Sequence, residues 1–195
     1  MDLAYHFAQT SPRLAPIYAF LFGLITMDYY MVLMGIFSFV DIIINLIIKY
    51  IFRKLYKYLK VKKLPLLGIG ERPIGKCSDK DFGFFNKYLK IKEAKLFGMP
   101  SGHSQSAWFI FTFVSLYLMD VLKLKNSNSS SNSNYESKKN WITYTIILLF
   151  IITVFISYSR IKENCHTIEQ VLLGSFIGTV LGFIFYNISK IIINY

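Results

Sequence analysis

Metal-ligand spacing is what this sequence most plainly lacks. There is no HExxH, no HxxxH and no CxxC, and no cluster of carboxylates accompanies any of the three histidines, so the common zinc arrangements have no footing. Metal catalysis is therefore not expected, and no cofactor is implied. Two cysteines, Cys77 and Cys165, are too few for a disulfide framework. Charge is also scarce, at 17% of residues against 54% hydrophobic, which excludes an ordinary soluble domain and points to the membrane. The first residues, MDLAYHFAQTSPR, open with acid and His where a cleavable signal peptide carries Lys or Arg, so none is expected. No internal repeat is present.

What charge there is sits unevenly. Thirteen of the 22 Lys and Arg fall between Arg53 and Lys95, against four acids there. Beside apolar spans, such a segment suits anionic headgroups or a phosphate substrate better than nucleic acid, and no nucleic-acid partner is expected. The expected fold is an all-α transmembrane bundle in one domain, residues 1–195. A bilayer span needs about 20 apolar residues. Five candidates are Leu14–Met27, Tyr30–Phe52, Ser104–Leu122, Trp141–Tyr158 and Thr167–Ile188. Arg53–Lys63 has the pattern of a helix lying on the membrane surface. Residues 53–98 form a basic loop with a short helix near Phe82–Leu89, and the Ser/Asn-rich residues 126–140 a solvated low-complexity loop. Gly174, Gly178 and Gly182 recur at four-residue spacing, as at close helix contacts in lipid. Asp41, Asn45 and Lys49 share one helix face, either as a structural polar stripe or as part of a site. Threading these spans puts 53–103 and 159–166 on one side of the membrane, and the low-complexity loop on the other.

Those two regions carry the suggestive chemistry. Gly98-Met99-Pro100-Ser101-Gly102-His103 is a turn entering an apolar helix, and a helix N-terminus with free N–H groups suits an anion. Ser159-Arg160 and His166 flank the next connection on that side. Arg offers a planar fork for phosphate, and an imidazole can attack phosphorus when its other nitrogen is held. Gln170, one turn beyond His166, has an acceptor oxygen for that purpose. Glu71-Arg72-Pro73 adds a further cation on a stiffened chain. The bland alternatives are an N-cap for Ser101 and loop positions for Arg160 and His166. His6 carries no such context.

Together these residues resemble the type-2 phosphatidic acid phosphatase superfamily, whose elements are Lys-x6-Arg-Pro, Pro-Ser-Gly-His and Ser-Arg-x5-His-x3-Asp. The second stands intact as Pro100–His103, and the third as Ser159, Arg160 and His166 with Gln170 in place of Asp. In the first, Arg72-Pro73 is present but Pro65 occupies the lysine position, so Lys49, Lys62 and Lys63 are alternatives, with Lys49 favoured. Gly98–Gln105 with Trp108-Phe109, and His166-Thr167 with Gln170-Val171, look like the dolichyl-diphosphatase branch.

The resemblance implies a metal-independent lipid phosphatase of the endoplasmic reticulum. His166 would be the nucleophile and His103 the general acid and base. Arg72, Arg160, Ser101, Gly102 and a lysine would bind phosphate, and Gln170 would orient His166, with Glu169 as a possible source of negative charge. The substrate implied is a polyprenyl diphosphate such as dolichyl diphosphate. The alternatives are a phosphatidate or sphingoid-phosphate phosphatase, or a decayed site that only binds lipid phosphates. Counting cations puts the site face in the cytoplasm, whereas the resemblance puts it in the lumen, where Cys77 and Cys165 could pair. The lumenal orientation is the expectation, with Asn128-Ser129-Ser130 as a glycosylation acceptor on the opposite face.

Overall fold

The computed structural model describes residues 3–73, 97–126 and 132–194. Five long helices dominate: α1 (Leu3–Thr26), α2 (Tyr29–Leu59), α3 (Gly102–Asn126), α4 (Asn132–Lys162) and α5 (Ile168–Asn194). Two short antiparallel strands, β1 (Lys63–Leu64) and β2 (Gly68–Ile69), form a hairpin after α2, with Lys63 opposite Ile69 and Leu64 opposite Gly68. Four of the helices are long and apolar enough to cross a membrane, and Leu14–Thr26 of α1 is a shorter apolar stretch. The fold is an all-α polytopic bundle.

Three expectations need correction. Arg53–Leu59 is not a separate surface helix; it continues α2 without a break. No Gly or Pro interrupts the turn, and the helix stops only where Lys60 takes a left-handed φ of 52° and its N–H caps Tyr56 and Lys57. At 1.5 Å per residue, α2 is about 45 Å long against a hydrocarbon core of about 30 Å, so its last turns project from the bilayer. The low-complexity segment is helical from Asn132 onward, because Ser and Asn are tolerated on an exposed helix start and a Glu136–Lys139 pair (3.5 Å) spans one turn. Helix α1 begins at Leu3 and runs through both Pro12 and Pro16, well before the expected Leu14. The short helix expected near Phe82–Leu89 lies outside the described residues.

Helices α3 and α5 make the closest approach. A Cβ added at Gly174 would lie 2.5 Å from the Ser101 carbonyl oxygen, and one at Gly182 would lie 2.7 Å from that of Phe109. One at Gly178 would strike the Gln105 carbonyl. Three glycines on one face therefore let α5 lie against the backbone of α3. Phe109 and Phe113 of α3 build the core with Ala19, Met34 and Tyr186. At the end remote from the basic segment, Asp28 caps α2 and accepts from the Tyr117 hydroxyl (2.6 Å). Nearby, Asp120 accepts from Tyr186 (2.7 Å) and Lys190 (2.6 Å). This polar knot ties together the far ends of α2, α3 and α5.

Candidate active site

The projecting end of α2 is a post for the loops. Tyr56 donates its hydroxyl to the Gly68 carbonyl (2.9 Å) and packs edge-on against Phe97, centroid to centroid 5.6 Å. The chain after the hairpin then pairs with the chain before α3: Gly98 N–H donates to Gly70 O (2.9 Å), and Glu71 bridges Phe97. Arg72 is thereby brought to the start of α3. The Ser101 N–H donates to the Gln170 carbonyl (3.0 Å), which seats that start against α5.

A cavity of about 260 Å³ opens among these pieces. Lys49, Arg72, Arg160, His103, His166 and Gly102 line it. Two imidazoles distant in sequence thus share one cavity with three cations, at the N-terminus of α3. Going down α2 from Lys49, Leu46 and the polar Asn45 line the cavity first, then Ile43, Ile42 and Phe39, and Pro12 of α1 completes the apolar part. Phe39 and Ile43 are exposed on the outer surface, so the apolar end reaches the lipid-facing side of the bundle.

His166 is 3% exposed, and its Nδ1 lies 3.0 Å from Gln170 Oε1. The amide orientation of Gln170 is set by its other end, where Nε2 donates to the carbonyls of Ile69 (2.8 Å) and Glu71 (2.9 Å). Oε1 therefore faces the ring, Nδ1 carries the proton, and Nε2 of His166 keeps a free electron pair. Burial, then the Arg72 and Lys49 cations, and to a lesser degree Arg160, hold the imidazole well below the ordinary histidine range; the Gln170 bond opposes them but does not win. The ring is a neutral base among cations.

Thr167 and Gln170 also form a reciprocal cap on α5. Gln170 N–H lies 3.4 Å from Thr167 Oγ1 and Thr167 N–H lies 3.4 Å from Gln170 Oε1, a Thr-x-x-Gln capping box. This cap was legible in the sequence and overlooked beside the histidine.

Other residues divide less simply. Lys49 is buried in the cavity, whereas Lys62 is exposed and Lys63 lies in a separate depression beside Glu169 and the hairpin. Glu169 packs toward Gly68 there and is not the acceptor of His166. Ser101 is fully buried but does not line the cavity; its hydroxyl accepts from Ser104 Oγ (3.1 Å). Arg160 is 1% exposed and pairs with Glu163 at 3.0 Å, a partner that sequence reading missed. Asp41 does not reach the cavity. It turns toward α3, accepting from Gln105 Nε2 (2.7 Å) and Ser106 Oγ (2.8 Å), while Asn45 Nδ2 donates to Gln105 Oε1 (2.7 Å). The polar stripe on α2 is thus part cavity wall and part brace. Cys165 is disulfide-bonded; Cys77 and Asn128 lie outside the described residues.

A helical membrane bundle with an imidazole- and cation-lined cavity at the ends of its spans defines a class, and sequence comparison gives the same one: the chain belongs to the PAP2 superfamily, whose model matches residues 30–193. Within it, the chain is similar to dolichyldiphosphatases. It is 38% identical over 96 residues to dolichyldiphosphatase 1 of Dictyostelium discoideum, covering 49% of this chain and 37% of that protein. It is 31% identical to dolichyldiphosphatase of Saccharomyces cerevisiae (49% and 35%) and 28% identical to dolichyldiphosphatase 1 of Homo sapiens (48% and 37%). These matches span little more than a third of each relative's length. No solved structure matches the chain.

Proposed function

We propose that this protein is a membrane lipid phosphatase that hydrolyses a polyprenyl diphosphate, dolichyl diphosphate in the first instance, to the monophosphate and phosphate. The observation that carries the reading is the continuity of the cavity. Its polar end holds three cations and two imidazoles, and its other end is an apolar channel open to the lipid-facing side of α2. A phosphate seated at the first end leaves its hydrocarbon tail in the second, still within the bilayer.

The geometry supports a two-step transfer. His166 Nε2, with its electron pair free and Nδ1–H held by Gln170, attacks the terminal phosphorus; the P–N bond forms as the bridging P–O bond breaks. His103 gives its proton to the departing lipid phosphate, then takes one from water as that water attacks the phosphohistidine and releases phosphate. Lys49, Arg72, Arg160 and the Gly102 N–H counter charge on the equatorial oxygens. In this reading, Ser101 acts through the turn it buries, since its side chain is not on the cavity wall.

The site would face the lumen of the endoplasmic reticulum. The disulfide at Cys165, next to His166, favours an oxidising compartment. The test is phosphate release from a panel of dolichyl diphosphate, phosphatidate, lysophosphatidate and sphingoid phosphate, with and without chelator. Preference for dolichyl diphosphate unaffected by chelator is expected. Preference for another lipid moves the substrate within the class, and no release from any of them removes the enzymatic reading.

A further inference from the structure

The Gln170 amide touches more of the site than a histidine-orienting acceptor needs to. Its oxygen faces His166 Nδ1 at 3.0 Å. Its nitrogen donates to Ile69 O at 2.8 Å and Glu71 O at 2.9 Å, the carbonyls just before Arg72. Its backbone carbonyl accepts from Ser101 N–H in the turn before α3. The side chain is fully buried, so every one of these bonds replaces water. Gly98 makes room for it: a Cβ there would strike Gln170 Oε1 and come within 2.9 Å of Arg72 Cγ.

We infer that Gln170 is a positioning residue that couples the nucleophile to the phosphate-binding Arg72, and that its NH2 group is as necessary as its oxygen. This rests on the function proposed above for His166 and Arg72. An acceptor-only group at this position would still hold the imidazole. It would face two carbonyl oxygens with no proton to give, and would loosen the segment that carries Arg72. The amide is suited to this site because it accepts on one side and donates on the other.

A role limited to orienting His166 makes the opposite prediction. A carboxylate is a stronger acceptor for Nδ1–H and stabilises imidazolium better than an amide, so Gln170→Glu would then keep or raise kcat and leave KM alone. Coupling to Arg72 requires that Gln170→Glu lower kcat and also raise KM for dolichyl diphosphate, each by about tenfold, as expected for buried carbonyls left unpaired.

The experiment is steady-state kinetics of the full chain in detergent, alongside binding of orthovanadate. An unchanged KM with kcat kept or raised overturns the inference. Should Gln170→Glu not fold, Gln170→Met removes the NH2 donor without adding charge or pressing on Arg72: raised KM with lowered kcat supports the coupling, and unchanged KM overturns it. Vanadate separates the two levels. A parent protein inert toward every lipid defeats the phosphatase reading, yet vanadate affinity that falls about tenfold in Gln170→Glu still supports the coupling; affinity unchanged by the substitution defeats it.

Discussion

Whether His166 is neutral when substrate arrives depends on its neighbours. Burial and the Arg72 and Lys49 cations lower its pKa well below 6.5, so the attacking form persists as pH falls past 6.5 and is lost only lower down. The acid limb of kcat/KM, which reports the free enzyme, is therefore expected below 6.5. Replacing Arg72 by Gln removes a cation that opposes protonation, so the limb should move up toward 6.5, while kcat/KM at pH 7.5 falls about ten- to a hundredfold through lost charged hydrogen bonds. A pH profile of the two proteins decides this, and a limb that stays put or moves down rules out the electrostatic account. His166→Ala should abolish turnover and prevent trapping of labelled phosphate on the protein; retention of most activity would remove the nucleophile. Which residues gather was legible, because motif spacing places backbones: Arg160, His166 and Gly102 all line one cavity. Side-chain direction was not legible. Ser101 belongs to the same motif, yet its hydroxyl turns into the protein toward Ser104. Glu163 reads as a loop charge until the turn of helix puts it against Arg160.

Elements hold these residues at working distance, and the tightest junction is α3 against α5. Its four-residue glycine spacing was legible because periodicity is a property of sequence. A side chain at Gly178 would run into the Gln105 backbone, and backbone cannot rotate away as a flexible side chain can. Gly178→Leu should therefore cost about 1–3 kcal/mol or more through forced separation. It should also displace the turn at Ser101–His103, lowering both the melting temperature in detergent and the activity. A Leu variant with the parent's melting temperature would show that the helices are not locked. The brace between α2 and α3 is polar. Asp41→Ala leaves the Ser106 hydroxyl without its acceptor and the Gln105 amide with only the Asp41 backbone carbonyl (3.2 Å), at a cost of about 1–3 kcal/mol, whereas Asp41→Asn keeps an acceptor oxygen and should lose less; equal loss in the two variants would argue against the hydrogen-bond account. Where element reading failed, composition misled. Lysines after Phe52 suggested a surface helix, but charge does not end a helix, and α2 runs on to carry Tyr56 under the hairpin. The Ser/Asn run suggested a loop, although Asn132 onward only continues a helix whose other end is firmly apolar.

The molecule as a whole places its chemistry on one side. Helix α1 begins beside the cavity through Pro12, the α1–α2 and α3–α4 connections lie at the far end, and the hairpin, the Arg72 segment and the His166 connection gather at the near end. That arrangement followed from counting spans, since each apolar helix reverses the chain, and the added turns at both ends of the spans did not alter the parity. Which compartment the near end faces is a separate question, on which two physical tendencies conflict. The cations of residues 53–95 favour the cytoplasm by the positive-inside tendency. Yet one of them, Arg72, lines the cavity together with Lys49 and Arg160 from outside that segment, and cations there answer to the substrate. The Cys165 disulfide favours the lumen. Single cysteines resolve it: Leu66→Cys at the hairpin tip, where the residue is 99% exposed, and Lys138→Cys on the exposed start of α4 at the far end. In sealed microsomes treated with a membrane-impermeant maleimide, a lumenal site predicts that Lys138→Cys labels at once and Leu66→Cys labels only after permeabilisation, each scored above the parent protein. The reverse pattern places the cavity in the cytoplasm and assigns the basic segment to orientation rather than to phosphate.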